Sequence, residues 1–543
     1  MSAAAAAAAT TGTGTRTRLS GPGGVAPPPG FRNCFSMNQV SPHDIVIAGG
    51  GTAGWMAAAA LSRFLGRESH ITLIESELIG TVGVGEATIP QIHLFVGGLG
   101  IDEADIVRET KATYKLGIEF DGWFEPGHRY MHAFGIVGRA VGIIPFRQLW
   151  HRARADGAAE EFGHYYFNEV AARMGRMAIP EGQQGAHFGL VHAYHFDASL
   201  FAAFLRRYAE DRGVVRIEGK IEDVERDAET GDVAALLLNG GRKIEGGFFL
   251  DCTGFRSLLL GQALGVGFRD WSNYLPCDRA FAVPCERSDA FRPYTQSIAR
   301  QAGWQWRIPL QHRTGNGHVY CSSFISDDEA ASILLANLDG TPRDDPRPLR
   351  FTAGQREQVW SHNVVALGLA AGFMEPLEST SIHLIQTSIA RLLTFLPQGS
   401  PGPAARDKFN RLTASEWEHI RDFLTLHYKA NRRVGEPFWD QCRAMPIPDT
   451  LAAKIALFEE AGILVREADE LFTEEGWGQV MIGQGLEPRS FSPLTAAIPK
   501  DELAEYLAKL ADSYRRAAAA LPTHAQFVDS MVARPARAPR VTA

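Results

Sequence analysis

Cysteine, long apolar runs and surplus positive charge are all scarce in this chain, and each scarcity excludes a class of protein. Six cysteines are scattered through 543 residues without a CxxC pair, which excludes a disulfide scaffold and indicates reduced thiols in a cytoplasmic protein. No uncharged apolar run is long enough to predict a membrane span. The net charge of -8 lacks the basic excess with which proteins neutralise nucleic-acid phosphates.

The composition predicts a folded enzyme-sized protein between two irregular ends. Hydrophobic residues make up 45% and charged residues 21%, which is typical of globular proteins. Residues 1–43 are rich in Ala, Thr, Gly and Pro, so we expect a disordered tail, with Met37 as a candidate true start. Residues 534–543 are expected to fray. Between them we predict a core over 44–400 and a helical lobe over 401–533.

The first part of the core predicts a nucleotide-binding β–α–β unit. Residues 44–48 form a short apolar run that ends at the glycine-rich segment GGGTAG (49–54), which is typical of a buried strand and its turn. Residues 55–64 predict a helix, and residues 71–74 predict a second strand that ends at Glu75. This order is the context that a dinucleotide fingerprint requires.

Each glycine of the fingerprint has a separate physical task. Gly49 permits the tight turn, Gly51 lets the backbone approach a pyrophosphate, and Gly54 lets the helix pack closely on the sheet. Glu75 lies 21 residues beyond Gly54, where its carboxylate can accept a hydrogen bond from a ribose hydroxyl. The remaining predicted cofactor-binding residues are Thr52 and Ala53 in the loop and Gly368 after the apolar run 363–367.

Later segments predict more strands and then helices. Strands are expected at 214–218, 233–238 and 243–250, and aromatic and leucine periodicity predicts helices within 405–465 and 500–520. The predicted fold class is α/β, with a Rossmann-type FAD-binding core of the flavin monooxygenase kind, interleaved substrate segments and a helical C-terminal lobe.

Six motifs in a fixed order carry a resemblance to a known family. They are GGGTAGW (49–55), GVGEATIP (83–90), YKLG (114–117), YHFDA (194–198), WQWRIP (304–309) and EPLEST (375–380). Over about residues 44–530 the chain resembles the flavin-dependent halogenases of the tryptophan-halogenase family. The resemblance implies a two-component oxidoreductase that receives FADH2 from a separate NAD(P)H-dependent flavin reductase. It also implies dioxygen and chloride or bromide as co-substrates, a small aromatic substrate, a homodimer, and no metal.

Two catalytic residues follow from the resemblance. Lys115, within YKLG, matches the lysine that captures or hydrogen-bonds hypohalous acid beside the aromatic substrate. The alternative interpretation is an ordinary surface lysine on a helix, without a catalytic role. Glu378 matches a glutamate that orients the electrophile or accepts the proton lost when the ring rearomatises. Its alternative is a glutamate at a helix start, after Pro376 at a first-turn position.

Halide, barrier and substrate positions also follow from the resemblance. Thr380 and Ser381 match the halide site, where backbone amides at a helix start attract an anion, although the family usually has glycine at the position of Ser381. Trp304 and Trp306 match a barrier that keeps the organic substrate from the flavin, whereas in an arbitrary protein such residues fill a core.

The substrate pocket is only partly that of the tryptophan-specific members. His132 and Phe134 match residues that sandwich an indole, and Phe472 lies with Leu471 where those members have Phe-Trp. The acids at 467–470 lack the accompanying tyrosine pair. Free tryptophan and other indole-type aromatics therefore both stay open as substrates.

Two other functions compete with halogenation. One is a flavin-dependent aromatic hydroxylase of the same fold, against which Lys115, Glu378 and the two tryptophans argue. The other is a flavin-binding protein without catalysis, which the retention of Lys115 and Glu378 disfavours.

Overall fold

The computed structural model describes residues 44–65, 69–77, 85–179, 189–288, 291–396 and 402–535. The expected tail 1–43 with Met37, and residues 536–543 of the expected C-terminal tail, lie outside the described residues. Five cysteines are described, and all are free thiols. None of the described helices combines the length and apolar character that crossing a membrane requires.

The described residues contain strands throughout the first three quarters of the chain. They are β1 Asp44–Ala48, β2 His70–Glu75, β3 Gly85–Ala87, β4 Thr113–Lys115, β5 Gly117–Asp121, β6 Arg129–Ala133, β7 Ala193–Asp197, β8 Val215–Glu218, β9 Ile221–Arg226, β10 Val233–Leu238, β11 Lys243–Glu245, β12 Phe248–Asp251, β13 Phe268–Asp270, β14 Arg279–Cys285, β15 Thr295–Arg300, β16 Gly303–Pro309, β17 Thr314–Tyr320, β18 Arg347–Arg350, β19 Gly354–Arg356, β20 Trp360–Ser361, β21 Val364–Ala366 and β22 Gly372–Phe373.

Helices cover the sheets and dominate the C-terminal part. They are α1 Thr52–Phe64, α2 Ile92–Gly98, α3 Glu103–Glu109, α4 Phe146–Ala155, α5 Phe167–Arg173, α6 Ala198–Glu210, α7 Asp327–Ala336, α8 Ser381–Phe395, α9 Pro403–Lys429, α10 Pro437–Ala444, α11 Asp449–Ala461, α12 Glu474–Gly483, α13 Lys500–Ala519 and α14 His524–Val532. The expected helical region 405–465 is therefore three helices, α9 to α11, and the helix expected at 500–520 is α13.

A six-stranded sheet, parallel except for its edge strand β20, confirms the predicted β–α–β unit. Its order is β20-β21-β12-β1-β2-β8, with β1 parallel to both β12 and β2. Helix α1 follows β1 directly, and its alanines 57–60 are buried on the sheet. Small side chains let the helix axis approach the sheet closely, which places the N-terminal end of α1 at the carboxyl edge of the strands.

The strand expected at 243–250 is two strands in different sheets, so that prediction was wrong. Residues 243–245 pair with β10 as β11, whereas residues 248–251 pair with β1 as β12. Gly246 and Gly247 make the break. A Cβ at Gly246 would lie 2.6 Å from Val46 Cγ2 on β1, so the chain passes so close to β1 that only glycine fits.

Two further sheets carry the residues of the candidate site. A seven-stranded sheet has the order β18-β14-β17-β16-β15-β5-β6, which puts the two tryptophans of β16 at its middle strand. A three-stranded sheet, β3-β7-β4, carries Lys115 on β4. Helix α9 then brings His427 and Tyr428, both fully buried, to the same region. The boundary expected at 400–401 remains a prediction.

Candidate active site

Lys115 is a buried residue of a strand and not a surface residue of a helix. Its side chain is 0% exposed, and β4 pairs with β7 so that Lys115 lies opposite Ala193. Lys115 Nζ donates to Ser379 Oγ at 2.7 Å and lies 5.4 Å from the centre of the Phe134 ring. Burial lowers the pKa of Lys115 to about 7, although the Glu378 carboxylate opposes the shift. The amine is therefore poised to change charge near neutral pH.

Glu378 lies between two histidines in a fully buried position. One carboxylate oxygen hydrogen-bonds His132 Nδ1 at 2.8 Å, and the other lies 2.9 Å from His427 Nε2. Burial alone would raise the pKa of Glu378, but charge and hydrogen bonding from His132 and His427 bring it down to about 2. Glu378 is consequently a carboxylate at neutral pH, and it is close enough to Lys115 for its negative charge to favour the ammonium form of the lysine.

The turn after Glu378 connects the lysine to a helix N-terminus. Residues 376–378 form a 3-10 turn with Pro376 at its first position, and Ser379 follows with a left-handed φ of 59°. Such a backbone is strained for serine. Helix α8 then begins at Ser381, after Thr380, with no side-chain cap on its amides. The amides expected to attract halide are thus at a helix start, and the residue with the left-handed φ, Ser379, lies two positions before it.

Most of the predicted cofactor-binding residues line one cavity of about 400 Å³. Gly49, Gly51, Thr52, Ala53, Glu75 and Gly368 all line it, as do Ser379 and Ser381. Gly54 packs behind the loop, where a Cβ would lie 1.9 Å from the carbonyl oxygen of Gly49. A Cβ at Gly51 would meet nothing within 4 Å. The loop is therefore tightly packed at Gly54 and open toward the cavity at Gly51. This arrangement fits a dinucleotide pyrophosphate at the start of α1.

Glu75 keeps the position that a ribose contact requires. It ends β2 and lines the cavity, and its carboxylate accepts from Trp55 Nε1 at 3.2 Å and from Arg216 Nε at 2.5 Å. These donors orient the carboxylate at the cavity edge. The residues present therefore fit FAD.

Trp304 and Trp306 lie side by side on β16, and of the two Trp306 reaches the cavity. Alternate residues of a strand share a face, and the two ring centres are 6.1 Å apart. Trp306 lines the cavity, whereas Trp304 is 1% exposed. Trp304 Nε1 donates to Glu375 Oε2 at 2.5 Å, and Tyr428 donates to the same oxygen at 2.5 Å. Burial raises the pKa of Glu375 to about 7 against these hydrogen bonds.

The predicted substrate residues lie on the lysine side. His132 touches Glu378, and its ring centre is 5.8 Å from that of Phe472. Phe472 stacks on Phe423 at 3.7 Å, while Phe134 faces Lys115. Among the described residues, Ser379 both lines the cavity and contacts Lys115, so it connects the predicted cofactor and substrate regions.

Sequence reasoning missed three members of this site: Ser379, Glu375 and His427. The first two belong to the motif EPLEST, but their contacts come from distant elements: Lys115 and Trp304 on strands and Tyr428 on α9. His427 is 49 residues beyond Glu378. Its one sequence signal is its place four residues after Phe423 on the apolar face of α9.

Comparisons with known proteins decide the family. The chain matches the tryptophan halogenase family over residues 44–500. The chain belongs to that family. The tryptophan 6-halogenase SttH of Streptomyces toxytricini is 36% identical over 447 residues, which are 77% of this chain and 84% of SttH. The resemblance inferred from the six motifs is thereby confirmed.

Solved structures of flavin-dependent halogenases share the fold. Xcc4156 from Xanthomonas campestris superposes with a TM-score of 0.88 and 48% identity, covering 92% of this chain and 100% of Xcc4156. BrvH from Brevundimonas sp. BAL3 gives a TM-score of 0.86 and 44% identity over 90% of this chain and 100% of BrvH. This halogenase is therefore a flavin-dependent oxidoreductase with the predicted FAD-binding Rossmann-type fold.

Proposed function

We propose that this halogenase uses FADH2, dioxygen and chloride or bromide to halogenate an electron-rich, indole-type aromatic beside Lys115. The observation that carries the proposal is the buried Lys115–Ser379 contact, because Ser379 also lines the cofactor cavity. A separate NAD(P)H-dependent reductase supplies the reduced flavin. When bound, reduced FAD would activate dioxygen, and the activated dioxygen is the oxidant that converts halide to hypohalous acid.

Lys115 holds and activates the hypohalous acid. Its protonated amine donates a hydrogen bond to the oxidant, which increases the electrophilic character of the halogen. Ser379 receives one of the three ammonium hydrogens, so two remain for the oxidant. Burial keeps water from competing for those hydrogens.

Glu378 accepts the proton that leaves the aromatic carbon. The carboxylate is ionised at neutral pH because His132 and His427 flank it. His132 joins Glu378 to the Phe472 wall of the substrate region. The base and the lysine thus act on the same side of the site.

The halide and barrier positions complete the proposed path. Backbone amides of Thr380 and Ser381 at the uncapped start of α8 attract chloride or bromide. Trp304 and Trp306 block direct contact between aromatic substrate and cofactor, and Glu375 fixes the Trp304 ring through its indole N–H. Direct oxygen transfer to the substrate is thereby suppressed.

The substrate is an indole-type aromatic that carries no amino-acid group. Among the acids that follow α11, Glu470 is committed to internal contacts: it is 4% exposed and pairs with Lys454 at 2.8 Å. Glu470 also accepts from the amide of Glu467. A substrate ammonium would have to displace the half-buried Lys454 from Glu470, so this wall favours a neutral ring substituent.

Mass spectrometry of complete reactions tests the proposed function. The reactions contain the halogenase, a flavin reductase, FAD, NADH and chloride or bromide, with indole, 3-methylindole, tryptophan and phenols as substrates. We expect halogen isotope patterns in indole products, with tryptophan turned over more slowly. Products that gain oxygen alone would identify a hydroxylase, and preferred turnover of tryptophan would overturn the substrate proposal.

A further inference from the structure

A cluster of two histidines and a glutamate lies behind the strand that carries Lys115. The ligand atoms of His93 on α2, Glu103 on α3 and His192 just before β7 all lie within 4.8 Å of one another. The side chains of His192 and Glu103 are 11% and 28% exposed, and they contact each other at 2.8 Å. The cluster is thus accessible from solvent and lies outside the cofactor cavity.

The hydrogen bonds of His93 fix which ring nitrogen is available. His93 Nε2 lies 2.9 Å from the carbonyl oxygen of His192. A carbonyl can only accept, so Nε2 carries the hydrogen and Nδ1 presents a lone pair. Histidine ligands of metal ions commonly have this arrangement, in which the second nitrogen donates to a backbone carbonyl.

The Nδ1 lone pair of His93 faces the Tyr194 hydroxyl, whose one hydrogen is already donated elsewhere. Tyr194 lies 3.2 Å from His93 Nδ1, but its hydroxyl donates to Glu103 at 2.8 Å. A phenol has one hydrogen. His93 Nδ1 is therefore an acceptor without a donor among the described residues.

Tyr114 supplies an independent sign that a group is missing from the cluster. Its side chain is 0% exposed, and its hydroxyl makes no hydrogen bond of normal length and angle in the described part of the chain, although the Glu103 carboxylate lies close enough to interact with it. The Tyr114 ring centre lies 5.3 Å from that of His192. Burial raises the pKa of Tyr114, and the nearby Glu103 carboxylate adds to the shift. A buried, unpaired hydroxyl costs free energy unless something satisfies it.

The forms of the ligands suit a cation. A neutral imidazole and an ionised carboxylate are the forms in which these side chains bind metal ions. The hydrogen bond from His93 Nε2 leaves Nδ1 free to coordinate, and the Glu103 carboxylate already accepts from Tyr194 and contacts His192.

We propose that His93 Nδ1, His192 Nε2 and a Glu103 oxygen bind one Zn²⁺ ion, with water completing a four-coordinate site. Two nitrogens and one carboxylate with an open position form a common zinc ligand set. On binding, a neutral His192 changes tautomer: the Nε2 hydrogen that it now donates to Glu103 is exchanged through water for one on Nδ1, which frees the Nε2 lone pair for the metal ion. The metal-bound water gives the Tyr114 hydroxyl the partner that it lacks.

The site has a consequence for the halogenase through β4. Tyr114 and Lys115 are adjacent on that strand and project to opposite faces. A metal ion that ties α2, α3 and the start of β7 together stiffens the support of Lys115. It takes no part in the proposed halogenation chemistry.

Zinc binding to the untagged chain tests the proposal. We expect one Zn²⁺ per chain by elemental mass spectrometry after dialysis, and a thermal midpoint that rises with added Zn²⁺. Co²⁺ should give visible absorption bands of a four-coordinate N/O site. Variants His93→Gln and His192→Gln should each lower Zn²⁺ affinity by about 100-fold or more and abolish the Co²⁺ bands.

Matched variants separate the site from general histidine binding and from misfolding. His362 pairs with Asp232 at 3.2 Å at another partly exposed position, so His362→Gln should leave Zn²⁺ affinity unchanged. Glu103→Gln preserves side-chain size and should still weaken binding. Substoichiometric Zn²⁺ in the parent protein, or unchanged affinity in both His93→Gln and His192→Gln, would overturn the proposal.

Discussion

At the scale of single residues, the site depends on ionisable side chains whose pKa values differ from their ordinary values because the side chains are buried. Lys115 and Glu375 both have pKa values brought to about 7, whereas the flanking histidines keep Glu378 ionised. Perturbed groups of this kind concentrate at functional sites. Their titration therefore provides direct tests of the proposed roles.

The ionisation of Lys115 predicts a pH profile for halogenation. The proposed role requires the ammonium form, and its pKa is about 7. We expect kcat/KM to decline above pH 7, while flavin oxidation by dioxygen does not follow the same curve. Halogenated product should be quantified between pH 6 and 9. A rate that increases through this range would show that the neutral amine is the active form.

The buried carboxyl of Glu375 predicts a stability effect with a defined sign. Its pKa rises from 4.5 to about 7 on folding, so between these values the folded state binds more protons than the unfolded state. The free energy of unfolding therefore falls as pH increases from 4.5 to 7. In Glu375→Gln that loss should be absent.

Urea unfolding at pH 5 and pH 8 measures the Glu375 effect. Glu416→Gln is the matched control, because Glu416 is also buried but has Arg391 as a partner at 3.0 Å. Equal pH dependence in the parent protein and Glu375→Gln would contradict the account.

At the scale of elements, the β1–loop–α1 unit assigns different tasks to glycines three residues apart. Gly51→Ala places a methyl group in open cavity space, since Gly51 has an ordinary φ of -73°. We expect nearly unchanged stability and FAD affinity weaker by about tenfold, or about 1.4 kcal/mol. Gly54→Ala forces a methyl against the Gly49 carbonyl and should cost about 1–3 kcal/mol of stability.

Thermal midpoints and flavin titrations distinguish the two glycine variants. The expected pattern is a binding defect in Gly51→Ala and a folding defect in Gly54→Ala. The reverse pattern would show that the pyrophosphate does not approach this loop.

The same elements show what sequence reasoning can and cannot reach. The β1–α1–β2 unit was predictable because its signals are local: an apolar run, a glycine turn and a helix, all within about 30 residues. The run 243–250 was mispredicted as one strand because Gly246 acts through contact with Val46, which sequence pattern does not reveal. The hydrophobic periodicity likewise does not show that Lys115 is buried. Only the family motif YKLG distinguished it from a surface lysine.

At the scale of the whole molecule, the C-terminal helices complete the site. His427 of α9 lies beside Glu378, and Tyr428 bonds Glu375. His524 of α14 accepts from the amide of Tyr114 at 3.0 Å and donates to the carbonyl of Phe291 at 3.1 Å. Such long-range contacts explain why sequence analysis could locate the motifs but not their partners.

His524 predicts that the C-terminal end supports the lysine strand. His524→Ala leaves the buried Tyr114 amide unpaired, which costs about 1–3 kcal/mol, and should reduce halogenation by displacing Lys115. His524→Gln retains an acceptor and should recover part of both losses. Denaturant unfolding and product yield measure the effects. Full halogenation activity in a destabilised His524→Ala protein would show that α14 stabilises the fold but does not position Lys115.

The most direct test of the account measures halogenated product, free hypohalous acid and flavin oxidation together in Lys115→Ala. Hypohalous acid is quantified with a soluble thiol or amine trap, and Lys111→Ala, at an exposed lysine before the same strand, is the control. We predict that Lys115→Ala loses nearly all halogenated product while flavin oxidation continues and hypohalous acid escapes to the trap. Lys111→Ala should behave as the parent protein does. Halogenation at the parent rate in Lys115→Ala would contradict the central role of this lysine.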